Sequence, residues 1–145
     1  MIYWLTGQPG AGKTTIAQEM IKLDTTKDWF NVDGDDIREI FDNKDYSEQG
    51  RRKNIELAQQ LAQYLNKKGK NVVVSLVSPY KDQRESFKQK MMNNLVEVYV
   101  HTSEVRGREK FFVENYEPPT EVFVDICTDN KSVKDCATTI LSYEY

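Results

Sequence analysis

The sequence contains few of the residues on which disulfide scaffolds and metal clusters depend. Its 145 residues include two cysteines, Cys127 and Cys136, and a single histidine, His101. A chain of this length buries roughly 70% of the surface that its unfolded form exposes, so it needs no disulfide staple. We therefore expect both cysteines to be reduced thiols, and we assign the lone histidine no catalytic role.

Excess positive charge and long apolar runs are also missing. Twenty Lys and Arg residues stand against 23 Asp and Glu residues, which leaves a net charge of −3. This balance disfavours a protein that binds nucleic acid or anionic membranes through a general positive field. The longest apolar run, residues 72–77, is interrupted by Ser75 and is too short to span a bilayer. The first residues lack the features of a secretory signal, so we expect a cytoplasmic protein without a nucleic-acid or membrane partner.

The hydrophobic pattern predicts an α/β fold. No repeat or Gly/Pro-rich linker interrupts the chain, so we expect one domain over residues 1–145. Short β-prone runs alternate with longer helical ones, which predicts strands at 2–5, 29–32, 71–77, 95–100 and 121–126 and helices at 13–23, 35–41, 48–68, 80–92 and 131–141. Residues 102–119 form a charged, irregular segment in this prediction. The order is typical of a three-layer fold with a five-stranded parallel sheet, helices on both faces and the strand at 71–77 in the centre.

The strongest motif lies between the first predicted strand and the first predicted helix. Residues 7–14 read Gly-Gln-Pro-Gly-Ala-Gly-Lys-Thr, which matches the phosphate-binding pattern G-x-x-x-x-G-K-[ST]. Backbone N–H groups of such a loop converge on phosphate oxygens, while Lys13 reaches the β and γ phosphates and the Thr14 hydroxyl holds Mg²⁺. The predicted nucleotide-binding set is Gly7, Gln8, Pro9, Gly10, Ala11, Gly12, Lys13, Thr14 and Thr15. This loop does not identify a reaction, because GTPases, ATPases and small-molecule kinases share it.

Acidic residues follow the second predicted strand. Asp33 and Asp35 flank Gly34, and Arg38 lies one helical turn after Asp35. Such carboxylates steer Mg²⁺ or accept a proton from an attacking hydroxyl, and the arginine is placed for an anionic acceptor. The same residues also suit a helix cap, because Asp is a common N-cap and Asp-Gly a common turn. The pattern leaves both interpretations open.

Further polar residues are candidates for an acceptor site. Arg51 and Asn54 lie three residues apart on one face of the long helix, where they face an acceptor or form a solvated first turn. Ser78 follows the strand at 71–77, at the end where open α/β sheets place ligand contacts. The charged segment adds cations that either bind phosphate or are simply solvated, namely Arg106, Arg108 and Lys110.

Taken in order, these motifs resemble those of the adenylyl-sulfate kinase family, whose members phosphorylate the 3′-hydroxyl of adenosine 5′-phosphosulfate. The matching segments are residues 7–14, 33–38 and 46–47, Arg51 with Asn54, residues 74–80 with Arg84, and residues 97–100 and 116–119. The resemblance implies a P-loop nucleotide-kinase fold, ATP and Mg²⁺ as cofactors, a small nucleotide acceptor and a possible homodimer.

The resemblance also implies roles at the reacting centre. Asp35 is the base or the Mg²⁺-linked carboxylate near the attacking hydroxyl, with Asp33 supporting it. Lys13 is the second catalytic residue, and Thr14 joins Asp35 as a metal ligand. The chemistry asks for little more, because phosphoryl transfer is catalysed chiefly by positioning and by neutralising charge.

On the acceptor side, the resemblance assigns five residues. Arg38 and Arg51 bind the phosphosulfate, and Asn54 binds the neighbouring polar groups. Tyr46 stands where the family has an aromatic residue, usually Phe, that stacks on the acceptor's adenine. Ser78 borders the same pocket.

The sequence departs from the family at the lid, about residues 102–119. The family has a longer lid there, with an Arg-Asp pair and a Phe-Thr-Gly segment whose aromatic residue forms the second side of the adenine sandwich. Here Arg106 or Arg108 stands for the lid arginine, and Phe111 or Phe112 for the aromatic residue. A shorter lid implies a changed acceptor, weaker discrimination or more ATP hydrolysis. The alternatives are therefore a kinase of this fold for another anionic nucleotide-like acceptor, or a nucleotide-binding module without turnover.

Overall fold

The computed structural model describes residues 1–144, so the last residue of the predicted domain lies outside the described range. Over this range the chain alternates strands with helices, and two single-turn 3₁₀ helices lie at Met92–Asn94 and Glu109–Phe111. The elements in chain order are β1 (Ile2–Thr6), α1 (Lys13–Leu23), β2 (Trp29–Asp33), α2 (Gly34–Ile40), α3 (Glu48–Lys67), β3 (Asn71–Ser75), α4 (Lys81–Met91), β4 (Leu95–His101), β5 (Val124–Cys127) and α5 (Val133–Leu141). The predicted element order is confirmed.

Two strands differ from their predicted bounds by two residues or more, and the other three end one residue later than predicted. β3 ends at Ser75 rather than at residue 77, because its partner β1 turns into the phosphate-binding loop and the last paired residues are Leu5 and Ser75. β5 begins at Val124 rather than at residue 121. The backbone of Val122 has a φ of 43°, which no extended strand accommodates, so the segment before β5 is irregular.

The five strands form one parallel sheet in the order β2-β3-β1-β4-β5. The prediction that the strand at 71–77 is central needs a correction, because β1 occupies the middle of the sheet. β3 is interior and lies between β1 and β2. The loops that follow β1 and β2 are therefore separated by the end of β3, and residues after β3 line the space between them.

Successive side chains of β1 point to opposite faces of the sheet, and each face packs against a hydrophobic core. Tyr3 and Leu5 point into a cluster that includes residues of α1 and α5, and Ile2 and Trp4 point into a second cluster with residues of α2, α3 and α4. Burial of each such large side chain stabilises the fold by about 1.5–3 kcal/mol. The resulting three layers confirm the predicted fold class and fix the strand ends that carry the polar residues.

Three smaller expectations concern cysteine, histidine and membrane segments. Cys127 and Cys136 are both free thiols. His101 ends β4, and its Nε2 lies 2.8 Å from an oxygen of Asp125 on the neighbouring strand. None of the helices between residues 1 and 144 is long and apolar enough to cross a bilayer.

Candidate active site

A cleft of about 960 Å³ opens at the carboxyl ends of β1, β2 and β3. The predicted site residues line it, except for Gly7, Gln8 and Ala11. A parallel sheet places ligands at this edge, because the loops that follow its strands converge there. The cleft therefore brings together residues that the sequence spreads over more than a hundred positions.

The loop between β1 and α1 has the backbone that the motif requires. A Cβ on Gly7 would lie 2.1 Å from the carbonyl oxygen of Val100, so no other residue fits at that position. Gly12 adopts a φ of 110° and precedes the first turn of α1, with no side chain capping the helix. The free N–H groups of that turn and the helix dipole thus point at the cleft, which favours an anion.

Lys13 is buried in the loop that it belongs to. Its Nζ donates hydrogen bonds to the carbonyl oxygens of Gly7 and Gln8, at 2.8 and 2.9 Å. Burial lowers the pKa of Lys13 to about 8, while the negative charge of nearby Asp33 acts in the opposite direction. The ammonium group is thus held in place before any phosphate arrives, and a phosphate would raise its pKa again.

Asp33 has two contacts that together explain its position. One carboxylate oxygen caps α2 by accepting from the N–H of Asp35, at 2.9 Å, as the helix-cap interpretation predicts. The other accepts from the Thr14 hydroxyl at 3.2 Å. The side-chain oxygens of Asp35 make no hydrogen bond to residues 1–144, and this carboxylate lines the cleft. Asp33 is thus engaged, whereas Asp35 is available to a ligand.

These oxygens fit a Mg²⁺ ion that phosphates complete. Mg²⁺ takes oxygen ligands, keeps several waters and is commonly held through one or two carboxylates together with substrate phosphates. Thr14, Asp33 and Asp35 provide one hydroxyl and two carboxylates at the phosphate end of the cleft. Within residues 1–144 no cluster of three or more His, Cys, Asp or Glu side chains could hold a metal by itself.

The opposite side of the cleft carries Arg38, Tyr46, Arg51 and Asn54. The Arg38 guanidinium lies 4.0 Å from the centre of the Tyr46 ring and donates to two backbone carbonyls of the loop after α2. The Arg51 guanidinium, in contrast, has no salt bridge or hydrogen bond with any residue from 1 to 144. Asn54 is 4% exposed, and its amide donates to the Gly34 carbonyl while its side-chain oxygen lacks a partner within the described chain.

Cations outnumber carboxylates in the cleft although the whole chain is acidic. Lining side chains include six cations, namely Lys13, Arg38, Arg51, Arg106, Arg108 and Lys110, against two carboxylates, Asp33 and Asp35. The cleft therefore carries four net positive charges in a chain with a net charge of −3. Clefts of one sign raise the local concentration of oppositely charged ligands, so the arrangement favours polyanions.

The segment at 102–119 covers the loop end of the cleft. Arg106 donates to the carbonyl oxygens of Gly10 and Ala11, at 3.4 and 3.2 Å, and Arg108 contributes to the lining. Phe111 and Phe112 both line the cleft and are about half exposed, so the structure does not single out one of them. This short lid thus presents both an arginine and an aromatic residue to the cleft.

Sequence reasoning missed the hydrogen bonds that hold the lid, and it missed those that hold the floor of the cleft, which is formed by residues 75–79 at the end of β3 and after it. The Gln8 side chain faces the lid rather than the cleft, and it bonds to the backbone of Val113. The Tyr116 hydroxyl lies 2.7 Å from the Thr6 hydroxyl at the end of β1. The resemblance included Tyr116 only as part of residues 116–119, and the phosphate-binding motif placed Gln8 among the nucleotide-binding residues rather than at the lid.

A buried ion-pair network lies under the cleft. Arg84 and Glu97 are each 3% exposed and pair at 3.1 Å. Arg84 also donates to the carbonyls of Ser78 and Glu117, and Lys88 pairs with Glu97 at 2.8 Å. Ser78 has a φ of 47°, a strained conformation for a residue other than glycine, and these contacts hold it there.

Fold and site together define a P-loop protein of the α/β class, with the phosphate-binding loop on one side of the cleft and a cationic face on the other. The family model described as Adenylylsulphate kinase matches residues 1–112, which is most of the chain. The protein belongs to the adenylylsulphate kinase family.

Curated relatives carry more than one activity. A cytidine diphosphoramidate kinase of Campylobacter jejuni is 36% identical over 102 residues, covering 68% of this chain and 59% of that protein. An adenylyl-sulfate kinase of Pseudomonas aeruginosa is 37% identical over 105 residues, covering 70% and 54%. The chain thus spans little more than half the length of these two relatives.

Two further comparisons cover nearly the whole chain. An adenylyl-sulfate kinase of Staphylococcus haemolyticus is 27% identical over 165 aligned positions, covering 99% of this chain and 83% of that one. Because this chain has 145 residues, the alignment includes about 20 positions that it lacks. The structure of the Mycobacterium tuberculosis APS kinase CysC in complex with AMPPNP and APS superposes with a TM-score of 0.84 at 19% identity, covering 97% of this chain and 95% of that one. This structural similarity, at 19% identity, shows the fold alone.

Proposed function

We propose that the protein is an ATP- and Mg²⁺-dependent kinase that phosphorylates the 3′-hydroxyl of adenosine 5′-phosphosulfate, giving 3′-phosphoadenylyl sulfate and ADP. The observation that carries the proposal is the unpaired Arg51 guanidinium, which faces the phosphate-binding loop across one cleft. A buried or half-buried arginine without a carboxylate favours an anionic ligand, because its desolvation is otherwise uncompensated. Membership of the family supports ATP as the donor.

The charge of the cleft supports a dianionic acceptor. ATP with one Mg²⁺ carries about two negative charges, and a nucleoside phosphosulfate carries about two more. Of the four net positive charges among the lining side chains, Arg106 is already paired with Glu104 at 3.2 Å. The remaining positive charge favours two anionic ligands over ATP with a neutral acceptor.

In the proposed mechanism the residues of the chain position and polarise two nucleotides. Lys13 and the first turn of α1 bind the β and γ phosphates, and their positive charge stabilises the charge that develops on the transferred group. Asp35 accepts the proton of the attacking hydroxyl, because its oxygens are free while those of Asp33 are engaged. Thr14 with Asp33 or Asp35 would hold a Mg²⁺ ion, which would supply neutralisation of the phosphate charge.

The acceptor is bound by the opposite face of the cleft. Arg51 pairs with its anionic group, and the unpartnered oxygen of Asn54 accepts a hydroxyl or amino proton. Tyr46 and the phenylalanines of the lid line the same cleft and provide apolar faces for a base. Burial of the reacting groups under the lid limits attack by water.

A second candidate is a pyrimidine nucleotide acceptor of the diphosphoramidate type. The 36% identity to the Campylobacter jejuni enzyme and the short lid favour it, because the lid holds the residues that contact the acceptor's base in the proposed mechanism. The phosphoramidate is also an anion that Arg51 could pair with. Both candidates keep the same donor site, and the second transfers the phosphoryl group to the 3′- or another hydroxyl of its acceptor.

The test is an ADP-release assay with ATP, Mg²⁺ and each acceptor, with acceptor-free hydrolysis as the baseline. We expect strong stimulation by adenosine 5′-phosphosulfate and a product that carries a 3′-phosphate by NMR. The variant Asp35→Asn, which keeps the size of the side chain, should remove the stimulation. Stimulation by cytidine diphosphoramidate alone would select the second candidate, and stimulation by neither would refute both.

A further inference from the structure

The side-chain amide of Gln8 pairs with the backbone of the lid in both directions. Its Nε2 donates to the Val113 carbonyl at 2.9 Å, and its Oε1 accepts from the Val113 N–H at 2.9 Å. The two residues are 105 positions apart in the sequence. The amide thereby satisfies both polar groups of one lid residue, much as a neighbouring strand would.

The Gln8 contact lies in the middle of the lid, between two other anchors. Arg106 holds the start of the lid to the carbonyls of Gly10 and Ala11, and Tyr116 holds its end to Thr6. From residue 107 to residue 115, the other hydrogen bonds made within the described chain are local to the lid. The position of the lid's central part therefore depends on Gln8.

Phe111 and Phe112 directly precede the residue that Gln8 holds. Both phenylalanines line the cleft and are about half exposed, so packing alone does not fix their place. Without the amide contact this stretch would be a flexible connection between its two anchors. The contact thus determines where the aromatic residues of the lid stand relative to the acceptor face.

We propose that Gln8 is a positioning residue that fixes the lid over the acceptor pocket and couples it to the ATP-binding loop. The part of this inference that concerns the acceptor rests on the proposed function. Gln8 belongs to the loop that binds the donor phosphates, and its own carbonyl accepts from Lys13. A change in the loop is therefore transmitted to the central part of the lid through the Gln8 side chain, beside the Arg106 contacts at the start of the lid, and an acceptor meets a lid that is already in place.

Two substitutions separate the hydrogen bonds from the bulk of the side chain. Gln8→Met keeps the length of an unbranched chain and removes both bonds. Gln8→Glu keeps the bond from the Val113 N–H but sets a carboxylate oxygen against the Val113 carbonyl. The matched control is Gln18→Met, an exposed glutamine of α1 whose side chain makes no hydrogen bond within residues 1–144.

The expected effect is large enough to measure. A single hydrogen bond of this kind favours the bonded state by about fivefold, so loss of both increases the ratio of open to closed lid by about 25-fold. For Gln8→Met we expect the acceptor KM to rise, by up to about 25-fold, and the share of acceptor-free ATP hydrolysis to increase. The ATP KM should change much less, and Gln8→Glu should fall between Gln8→Met and the wild type.

Limited trypsin digestion tests the same contact without any substrate. The lid offers cleavage sites after Arg106, Arg108 and Lys110, and cleavage of a segment that opens transiently follows its open fraction. We expect faster lid cleavage in Gln8→Met than in Gln18→Met or the wild type. Unchanged cleavage in Gln8→Met would overturn the proposal. Because this readout needs no acceptor, it also decides the matter if every acceptor fails in the ADP-release assay.

A second result would also overturn the coupling to the acceptor. If Gln8→Met opened the lid but raised the KM for ATP and for the acceptor equally, the side chain would support the donor loop alone. A larger effect on the acceptor KM than on the ATP KM, together with faster lid cleavage, is the outcome that the geometry predicts.

Discussion

Replacement of Arg84 by methionine tests whether the buried ion-pair network stabilises the floor of the cleft. Methionine keeps an unbranched side chain of similar reach and removes the charge. The substitution leaves Glu97 with Lys88 as its remaining charged partner. It also removes a donor from two carbonyls, of which Ser78 keeps the Thr6 hydroxyl at 3.1 Å whereas Glu117 keeps no donor within residues 1–144. Because Arg84 and Glu97 are each 3% exposed, water replaces these contacts poorly.

The size of the effect follows from burial. Removal of one partner from a buried pair costs about 3–5 kcal/mol, since the other charge stays desolvated. For a chain of this length each kcal/mol lowers the Tm by about 2–4 °C, so we expect a decrease of about 10 °C. Urea unfolding followed by tryptophan fluorescence measures the loss in free energy of unfolding. Trp4 reports on this region because it is buried and its ring N–H donates to the Ser78 hydroxyl at 3.3 Å.

A double substitution provides the control and the decisive comparison. Arg84→Met combined with Glu97→Gln also removes the carboxylate that has lost its Arg84 partner, so the double variant should be less destabilised than the sum of the two single variants. A coupling energy of at least about 1 kcal/mol is expected for groups in such direct contact. A loss below about 1 kcal/mol in Arg84→Met, or strict additivity, would show that the network contributes no stability to the floor.

Three further predictions concern the chemistry of the cleft. Burial places the pKa of Lys13 at about 8, so kcat/KM for ATP should fall as pH rises through about 8, when the free protein loses this positive charge; a flat profile to pH 9.5, or an equal fall in Lys13→Arg, would contradict the assignment. Arg51→Ala should raise the acceptor KM by about 10- to 100-fold through loss of a charge-assisted contact, with the ATP KM nearly constant; the opposite split would place Arg51 at the donor. Asp35→Ala should lower kcat by about 10²-fold or more if it acts on the hydroxyl proton, whereas Asp33→Asn should chiefly raise the Mg²⁺ requirement, since asparagine keeps the cap of α2; equal profiles for the two variants would contradict the separate roles.

The element order was predictable because local chemistry fixes most of the boundaries. The motif at residues 7–14 requires a strand before it and a helix after it, and Gly69 marks the end of the long helix. The end of β3 was not predictable, since it depends on where its partner β1 turns away. The middle position of β1 was equally hidden, because strand order is set by non-local pairing rather than by local pattern.

The residues of the candidate site also divide into those with a local signal in the sequence and those whose place depends on non-local contacts. Lys13 and Thr14 carry a local signal, and the spacing of Arg51 and Asn54 on a helix correctly put both in one cleft. The contacts of Arg38 with Tyr46 and with the loop after α2 depend on how that loop folds back. An amide side chain gives no pattern of its own, so the pairing of Gln8 with a residue far along the chain could only be seen in three dimensions.

The strand order has a consequence for how the family changes its substrates. Because β3 separates β1 from β2, their loops stand about 10 Å apart, or two strand spacings, across the floor formed after β3. That width is fixed by backbone pairing, and in the proposed function it gives the transferred phosphoryl group its place whatever the acceptor. The lid and the loop with Tyr46, which the proposed function assigns to the rest of the acceptor, lie outside the sheet. Acceptor preference can therefore evolve by shortening a lid while the hydrogen-bonded frame, and the reaction it supports, stays the same.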